Sequence, residues 1–192
     1  MSLQIHFLRH GVTTAPSDSL IGSTDVVLSG QGVIQAGQLA ARLPRGLDCL
    51  CSPMLRTRQT LESLQNHGVV REVSFDSRIR EIDFGAWERL TFAEISNKDE
   101  DIDAWKEYHH FTFPGGESVA HFVARLQSFL DEVQSKPQEQ VLVLTHGGVI
   151  RTLLCLILGL DIRNYLLFEV KPASWSTVVL YSHGGVLTAL NR

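Results

Sequence analysis

The chain of 192 residues has few cysteines, few methionines and no long apolar run. Cys49, Cys51 and Cys155 are an odd number of thiols, at spacings that fit neither a disulfide framework nor a zinc site. We interpret them as small buried side chains in a reducing compartment. The longest apolar stretch, 153–160, is too short to cross a bilayer, and the sequence shows no secretion or lipidation signal. These absences predict a cytoplasmic protein with no membrane partner.

A basic excess is also missing. The chain has 17 Lys and Arg against 21 Asp and Glu, which gives a net charge of −4 and a pI near 6.0. Proteins that bind nucleic acids usually carry a basic stripe, so no nucleic-acid partner is expected. The mean charge offers no attraction to an anionic ligand either, although a mean does not report local charge. Hydrophobic residues make up 44% and charged residues 20%, which is typical of one globular domain over 1–192. Nothing in the sequence indicates an oligomeric state.

Short apolar strands alternate with helices along the chain. The predicted strands are 4–8, 47–51 and 141–145, followed by a closing hairpin of 176–181 and 186–190. Four helices are predicted, over 30–43, 53–65, 118–133 and 147–159. The second is capped by Ser52 and has Pro53 at its first position, and the fourth ends at Gly159. In the first helix, Val33 and Ile34 belong to the predicted apolar stripe. The alternation predicts a three-layer α/β/α sandwich with a mostly parallel central sheet.

One segment, 84–116, departs from this pattern. It contains seven of the fifteen aromatic residues, Phe84, Trp87, Phe92, Trp105, Tyr108, Phe111 and Phe113, with acidic residues interleaved over 88–107. We expect a small helical lid insertion at the sheet edge. The simpler interpretation is that its rings build a core of their own, and the alternative is that some of them face a substrate.

The tripeptide Arg9-His10-Gly11 follows the first predicted strand and sets an imidazole beside a positive charge. A neutral imidazole can attack the phosphorus of a phosphate monoester, whose oxygens repel an anionic nucleophile, and water can later cleave the phosphoramidate. The guanidinium of Arg9 would neutralise those oxygens. A histidine beside an arginine is also common in surface hydrogen-bond networks, so the tripeptide alone does not assign a function.

Two later segments offer groups that suit a phosphate. Arg56 lies in the first turn of a predicted helix, where free amides and the helix dipole favour anions, and its guanidinium either grips a phosphate or is simply exposed. His146 ends the predicted strand 141–145 and either donates to a phosphate or is a buried histidine with satisfied hydrogen bonds. Gly147 and Gly148 follow it and would let backbone amides approach the phosphate.

Two carboxylates, Glu81 and Asp83, lie close together in the run from Arg80 to Gly85. Cleavage of a phosphate monoester requires a proton for the leaving alkoxide and then a base for the attacking water, and one carboxyl group can do both. Both side chains would project to the same side of an extended segment, so the spacing does not choose between them.

Together these four segments resemble the signature of the histidine phosphatase superfamily. That signature is a strand followed by RHG, an S-x-x-x-R-[AT]-x-x-T segment, an acidic residue before a Gly-x-W motif, and a late strand followed by HG. The matching segments are Leu8-Arg9-His10-Gly11, Ser52 to Thr60, Glu81 before Gly85-Ala86-Trp87, and Thr145-His146-Gly147, in the family's order. The resemblance covers nearly the whole chain.

The resemblance implies a role for each of these residues. It implies that His10 is the phosphorylated nucleophile and that Glu81, rather than Asp83, is the proton donor. The implied phosphate pocket is Arg9, Arg56 and His146, to which we expect Gly147 to add its backbone amide. The resemblance implies no metal and no organic cofactor, and it implies a small-molecule phosphate ester as the partner.

Within the superfamily, three segments are similar to the α-ribazole phosphatase branch of cobalamin synthesis. They are the run 80–88, the turn 114–118 and the segment 173–176. This similarity implies hydrolysis of α-ribazole 5′-phosphate, whose aromatic base would suit the rings of 84–116. The alternatives are a phosphoglycerate mutase, a broad-specificity sugar-phosphate phosphatase, and a non-catalytic module that binds a phosphorylated ligand. Val12 and the neighbourhood of Pro16 depart from the acidic residue and asparagine that many relatives carry after RHG.

Overall fold

Six strands form one mixed sheet in this structure, a computed structural model that describes residues 2–98 and 108–192. The strands are β1 (Leu3–Arg9), β2 (Leu47–Cys51), β3 (Val70–Phe75), β4 (Gln140–Thr145), β5 (Trp175–Tyr181) and β6 (Gly184–Ala189). Their order across the sheet is β3-β2-β4-β1-β5-β6. The first four strands run parallel, whereas β5 and β6 pair antiparallel with their neighbours. Strand β1 therefore lies inside the sheet, between β4 and β5.

Helices cover both faces of the sheet. The α-helices of the described residues are α1 (Gly30–Ala40), α2 (Leu55–Asn66), α3 (Phe92–Lys98), α4 (Val119–Ser135) and α5 (Gly147–Leu158). Leu142 and Leu144 of β4 pack with α1 and α2, whereas Val141 and Val143 pack with α4 and α5. The predicted α/β/α sandwich with a mostly parallel sheet is thereby confirmed. None of the helices in the described ranges is both long enough and apolar enough to cross a membrane.

Helix α4, the predicted helix 118–133, follows its amphipathic pattern. Ser118 caps it by accepting a hydrogen bond from the amide of His121 at 3.1 Å. The apolar stripe, which includes Phe122 and Leu126, is buried against the sheet. Helix α5 ends as predicted at Gly159, whose φ of +66° lies in the left-handed region that favours glycine. The closing hairpin and the three buried, unpaired cysteines are also confirmed.

The prediction that Ser52 caps α2 is wrong. The helix begins at Leu55 after Met54, which makes no side-chain capping bond. The hydroxyl of Ser52 lies 2.8 Å from the Nε2 atom of His146 instead. A partner brought in by the parallel pairing of β2 with β4 thus replaces the local partner that the sequence suggested.

Two other local predictions also need correction. Val33 and Ile34 of α1 are 51% and 56% exposed, because the buried face of this helix carries smaller residues such as Ala36. The helix also ends at Ala40 rather than at 43. Strand β3 is absent from the prediction, since it lies at the sheet edge with most of its side chains in solvent and its apolar pattern is weak.

Five of the six described rings of the segment 84–116 pack on the main core. Trp87, Tyr108, Phe111 and Phe113 belong to the same buried cluster as residues of β1, α4 and α5. The expected separate core is therefore wrong for these residues. Phe92 in α3 is 57% exposed. Trp105 and the acidic residues of 99–107 lie outside the described part of the chain.

Candidate active site

His10 and His146 meet because they follow neighbouring parallel strands. Arg9 at the end of β1 is opposite Thr145 at the end of β4, and the amide of His10 donates to the Thr145 carbonyl at 3.2 Å. The next residue of each strand therefore reaches the same sheet edge, where ligands of α/β proteins bind. The two imidazole rings are buried, with centroids 5.2 Å apart and planes inclined by 60°.

His10 has one ring nitrogen available for reaction. Its Nδ1–H donates to the carbonyl of Gly11 at 2.8 Å, which fixes the tautomer and leaves the lone pair on Nε2. Burial lowers the pKa of His10 well below its usual value, and the positive charges of Arg56 and Arg9 lower it further. The ring is therefore neutral at neutral pH, which is the state that a nitrogen nucleophile requires.

His146 is completely buried and uses both ring nitrogens. The Nε–H of Arg56 donates to its Nδ1 at 3.1 Å, so its own proton lies on Nε2, which donates to the hydroxyl of Ser52 at 2.8 Å. Burial and then the charge of Arg56 hold the pKa of His146 well below its usual value. In this arrangement His146 orients Arg56, and its Nδ1 accepts that bond and carries no proton that could be donated to a phosphate.

Arg56 is the largest almost fully buried side chain in the described part of the protein, with 1% exposure. Its Nη1 and Nη2 donate to the carbonyls of Thr24 and Gly22 at 3.0 and 2.8 Å, while its Nε contacts His146. Burial lowers the pKa of Arg56, and the negative charges of Glu81, Asp25 and Glu88 oppose that shift. Because an arginine pKa starts so high, the group remains a cation. Each terminal nitrogen keeps a second N–H for a ligand.

Glu88 stabilises the loop 22–24, whose carbonyl groups accept the hydrogen bonds from Arg56. The donors to its carboxylate are the amides of Gly22, Ser23, Thr24 and Phe84, at 2.7 to 3.3 Å. The sequence placed Glu88 among the acidic residues of the lid. Here it organises a loop that fixes Arg56 instead.

We expect Glu88→Gln to lower the free energy of unfolding by about 2–3 kcal/mol, because one carboxylate oxygen becomes an NH₂ group facing backbone donors. Urea unfolding measures this loss. The control is Glu62→Gln on the exposed side of α2, which should stay within about 0.5 kcal/mol of the parent. Equal stability of the two variants would contradict the role assigned to Glu88.

Glu81 lies against the first turn of α5. Its Oε2 accepts from the amide of Gly148 at 2.9 Å and its Oε1 from the amide of Ile82 at 3.1 Å. A Cβ atom at position 148 would lie 2.5 Å from Oε1, so the carboxylate can come this close only to glycine. The Gly148 amide, which the sequence offered to a phosphate, thus binds Glu81. Asp83 is used elsewhere, as it accepts from the hydroxyl of Ser23 at 2.8 Å.

Arg9 completes a cavity at the end of β1. The cavity has a volume of about 340 Å³, and its polar lining includes Arg9, His10, Arg56 and Glu81. The Nη1 of Arg9 donates to the carbonyl of Val170 at 2.7 Å, and its buried Nε has no partner among the described residues. Burial lowers the pKa of Arg9, and Glu81 counteracts this. Two guanidinium groups around a neutral histidine suit a dianion.

A second cavity adjoins the first and combines aromatic rings with charged groups. Its rings come from Phe84, Tyr108, Phe113, Phe122 and Tyr165, and Arg151 also lines it. Tyr108 and Tyr165 stack with centroids 4.4 Å apart and planes inclined by 10°. Arg9 and Glu81 line both cavities. Some rings of the segment 84–116 therefore face the space next to the polar site.

The structure brings the predicted site residues into one cluster. Arg9, His10, Arg56 and Glu81 line the polar cavity, and His146 lies beneath it. Gly147 begins α5 beside the guanidinium of Arg9. Sequence reasoning missed Ser52 and Glu88 as partners of this cluster. The only signal available for them was their position inside the matched motif segments. Among residues 2–98 and 108–192, no group of three His, Cys, Asp or Glu side chains is placed to hold a metal ion.

The fold and this cluster define a histidine phosphatase. The family model for the histidine phosphatase superfamily (branch 1) matches residues 5–192. The chain belongs to this superfamily and is a phosphoric monoester hydrolase.

Named relatives differ in their substrates. Phosphoserine phosphatase 1 of Hydrogenobacter thermophilus is 35% identical over 178 residues, which are 88% of this chain and 82% of the relative. The adenosylcobalamin/alpha-ribazole phosphatase of Escherichia coli is 26% identical, over 98% of this chain and 96% of its own. The crystal structure of the alpha-ribazole phosphatase from Shigella flexneri superposes with a TM-score of 0.86 at 26% identity, covering 99% and 96% of the two chains.

Proposed function

We propose that the chain hydrolyses its substrate through a phosphohistidine at Nε2 of His10. The support is the tautomer that Gly11 fixes, the lowered pKa of the ring, and the flanking guanidinium groups. Attack on phosphorus forms the N–P bond while the bond from phosphorus to the ester oxygen breaks. Because the imidazole is neutral, it approaches the dianion without charge repulsion.

Arg9 and Arg56 hold the phosphate oxygens in this proposal. Both line the cavity beside His10, and their attraction for a phosphate is stronger there than in bulk water because the surroundings screen charges less. A bound phosphate draws the Nε–H of Arg56 away from His146. The ring proton of His146 then moves from Nε2 to Nδ1, where it is donated to the phosphate, and the Ser52 hydroxyl reverses its bond and donates to Nε2. Donors aimed at the three equatorial oxygens stabilise the charge of the transition state.

Glu81 supplies the proton for the leaving alkoxide. The observation that carries this assignment is that Glu81 lines both cavities, the polar one that holds the phosphate and the aromatic one that would hold the rest of the substrate. The bridging ester oxygen lies at that junction. In the second step, water attacks phosphorus, the deprotonated Glu81 accepts its proton, and inorganic phosphate leaves with His10 restored.

We propose α-ribazole 5′-phosphate as the substrate. The five rings of the adjoining cavity suit an alcohol that carries an aromatic base, because such rings bury large apolar area and stack. Relatives from Escherichia coli and Shigella flexneri are named for this substrate class. The second candidate is O-phosphoserine, which the 35% identical relative favours. Arg151 in the same lining would suit the carboxylate of its small zwitterionic leaving group, but serine would leave the five rings without a partner.

A phosphate-release panel tests the substrate assignment. We expect the highest kcat/KM for α-ribazole 5′-phosphate among that ester, O-phosphoserine, 3-phosphoglycerate and glucose 6-phosphate. A higher value for O-phosphoserine would overturn the assignment in favour of the second candidate. Isomerisation of 3-phosphoglycerate without phosphate release would indicate a mutase, and binding without turnover would indicate a non-catalytic module.

Within that panel, Tyr165→Ala tests the aromatic cavity. We expect a loss of about 3- to 10-fold in kcat/KM for α-ribazole 5′-phosphate, the range expected for one aromatic stacking contact. Glucose 6-phosphate hydrolysis should be unchanged. Tyr181→Ala, at an exposed position of β5, is the matched control. An equal loss on both substrates would show that Tyr165 supports the fold rather than the base.

A further inference from the structure

Glu81 lies in a segment outside the strands and α-helices, so no regular backbone hydrogen bonds fix its position. A short 3₁₀ helix ends at Ile79, and the chain from 80 to 84 is irregular until the next 3₁₀ turn at Gly85. Even so, all four consecutive carbonyls of 78–81 accept side-chain hydrogen bonds. Two side chains from other elements provide them. Thr145 at the end of β4 donates to the carbonyl of Ile79 at 2.7 Å, and Arg125 of α4 binds the other three.

Every N–H group of the Arg125 guanidinium has an acceptor. Nη1 donates to the carbonyls of Arg78 and Arg80, the latter at 2.8 Å, and Nη2 donates to the carbonyl of Glu81 at 3.2 Å. The remaining two donors, on Nε and Nη2, bind both carboxylate oxygens of Glu117 at 2.8 and 2.9 Å. A guanidinium has five such donors in a fixed plane, so no other side chain can replace this set.

Glu117 in turn fixes the direction of Arg125. The pair is nearly buried, with side-chain exposures of 13% for Arg125 and 11% for Glu117. Burial alone would raise the pKa of Glu117, but the hydrogen bonds from Arg125 and His121 outweigh it, so the pKa is lowered and the carboxylate stays charged. The amide of Glu117 also donates to the carbonyl of Asp83 at 2.9 Å. The pair Arg125–Glu117 therefore forms hydrogen bonds with the backbone of 78–83 both before and after Glu81.

We propose that Arg125, held by Glu117, is a positioning residue that sets the carboxyl group of Glu81 against the leaving oxygen of the substrate. The inference rests on the proposed role of Glu81 as proton donor. Arg125 does not touch the Glu81 carboxylate; it binds the backbone from which that side chain extends. General acid catalysis requires the donor within hydrogen-bond reach of the oxygen, so a small displacement of this backbone lowers the rate of proton transfer.

A series of leaving groups separates positioning of the acid from general support of the fold. In Arg125→Met we expect kcat/KM to fall on the order of 10- to 100-fold for an alkyl phosphate, whose alkoxide needs a proton to leave. With 2,4-dinitrophenyl phosphate, whose phenolate leaves without a proton, the loss should not exceed about threefold. The parameter kcat/KM is used because it reports the phosphorylation step. Arg125→Lys, which keeps the charge but loses the planar fork, should show the same dependence on a smaller scale and serves if the methionine variant does not fold.

Two control variants keep the outcomes distinct. Arg71→Met removes an arginine whose ion pair with Asp48 lies on the surface, and it should leave kcat/KM unchanged for both esters. Glu81→Gln should show the same leaving-group dependence as Arg125→Met, and the two changes together should cost little more than Glu81→Gln alone.

Each result then decides one point. Equal losses on both esters in the Arg125 variants would overturn the inference, since only a structural role predicts them. The same result in Glu81→Gln would overturn the proposed role of Glu81. Additive losses in the double variant would show that Arg125 acts on the reaction independently of Glu81, and this too would overturn the inference.

Discussion

Replacing His10 by alanine is expected to abolish phosphate release, with a loss of about 10⁴-fold or more, since removal of a nucleophile eliminates the covalent route. Folding should persist, because the Nδ1 of this ring bonds only to the adjacent Gly11 carbonyl. Initial rates and melting temperatures measure both effects. Brief labelling with a ³²P-ester should mark the parent protein with an acid-labile phosphoramidate and leave the variant unmarked.

The control for this experiment is His67→Ala, an exposed histidine at the end of α2. Its activity should equal that of the parent, and chelators should leave both unaffected. Because burial and two arginines lower the pKa of His10, the parent should lose no activity to His10 protonation near pH 6.5. Activity that survives His10→Ala and disappears with a chelator would overturn the phosphohistidine mechanism.

The second large effect is expected from Arg56→Lys. Lysine keeps the positive charge, but it cannot reach the carbonyls of Gly22 and Thr24, the Nδ1 of His146 and a phosphate at the same time. We expect kcat/KM to fall by about 10²- to 10³-fold, the loss typical of removing a donor that stabilises the transition state. Steady-state kinetics with α-ribazole 5′-phosphate and inhibition by vanadate measure the loss.

Arg58→Lys is a matched control on the same helix. Arg58 is exposed and lies over the ring of Phe75, with its guanidinium carbon 4.6 Å from the ring centroid. Its replacement should leave kcat/KM unchanged. If Arg56→Lys behaved like Arg58→Lys, a positive charge alone would be sufficient at position 56, and the fixed geometry described above would have no kinetic role.

The sequence predicts those parts of the fold whose burial follows a simple period. Strand β4 presents apolar side chains to both sides of the sheet, and helix α4 presents one continuous apolar stripe to the core, so both have a clear sequence pattern. Strand β3 does not, since an edge strand with exposed side chains has little apolar pattern. In α1, the buried face consists mainly of small residues, whereas Val33 and Ile34 point to solvent and mislead a search for a stripe.

The candidate site was predictable as a set of residues but not as a network. The motif segments suggested His10, Arg56 and His146, and parallel strands bring such segments to one edge. The bonds of Ser52, Glu88 and Arg125 depend on partners far away in the chain, and short-range patterns carry no information about them. For Ser52, the local rule that serine before proline caps a helix even favours the wrong partner.

The central position of β1 has a consequence for the synthesis of the protein. Gln4 pairs with Gln140 on one side and with Val179 on the other, so β1 leaves the ribosome long before either neighbour exists. At typical translation rates, this interval is on the order of ten seconds. During it, Ile5, Phe7 and Leu8, all fully buried in the finished sheet, remain open to chaperones or to other nascent chains. The catalytic edge therefore cannot assemble before β4 has been synthesised, and a truncated chain that lacks β4 carries His10 without His146.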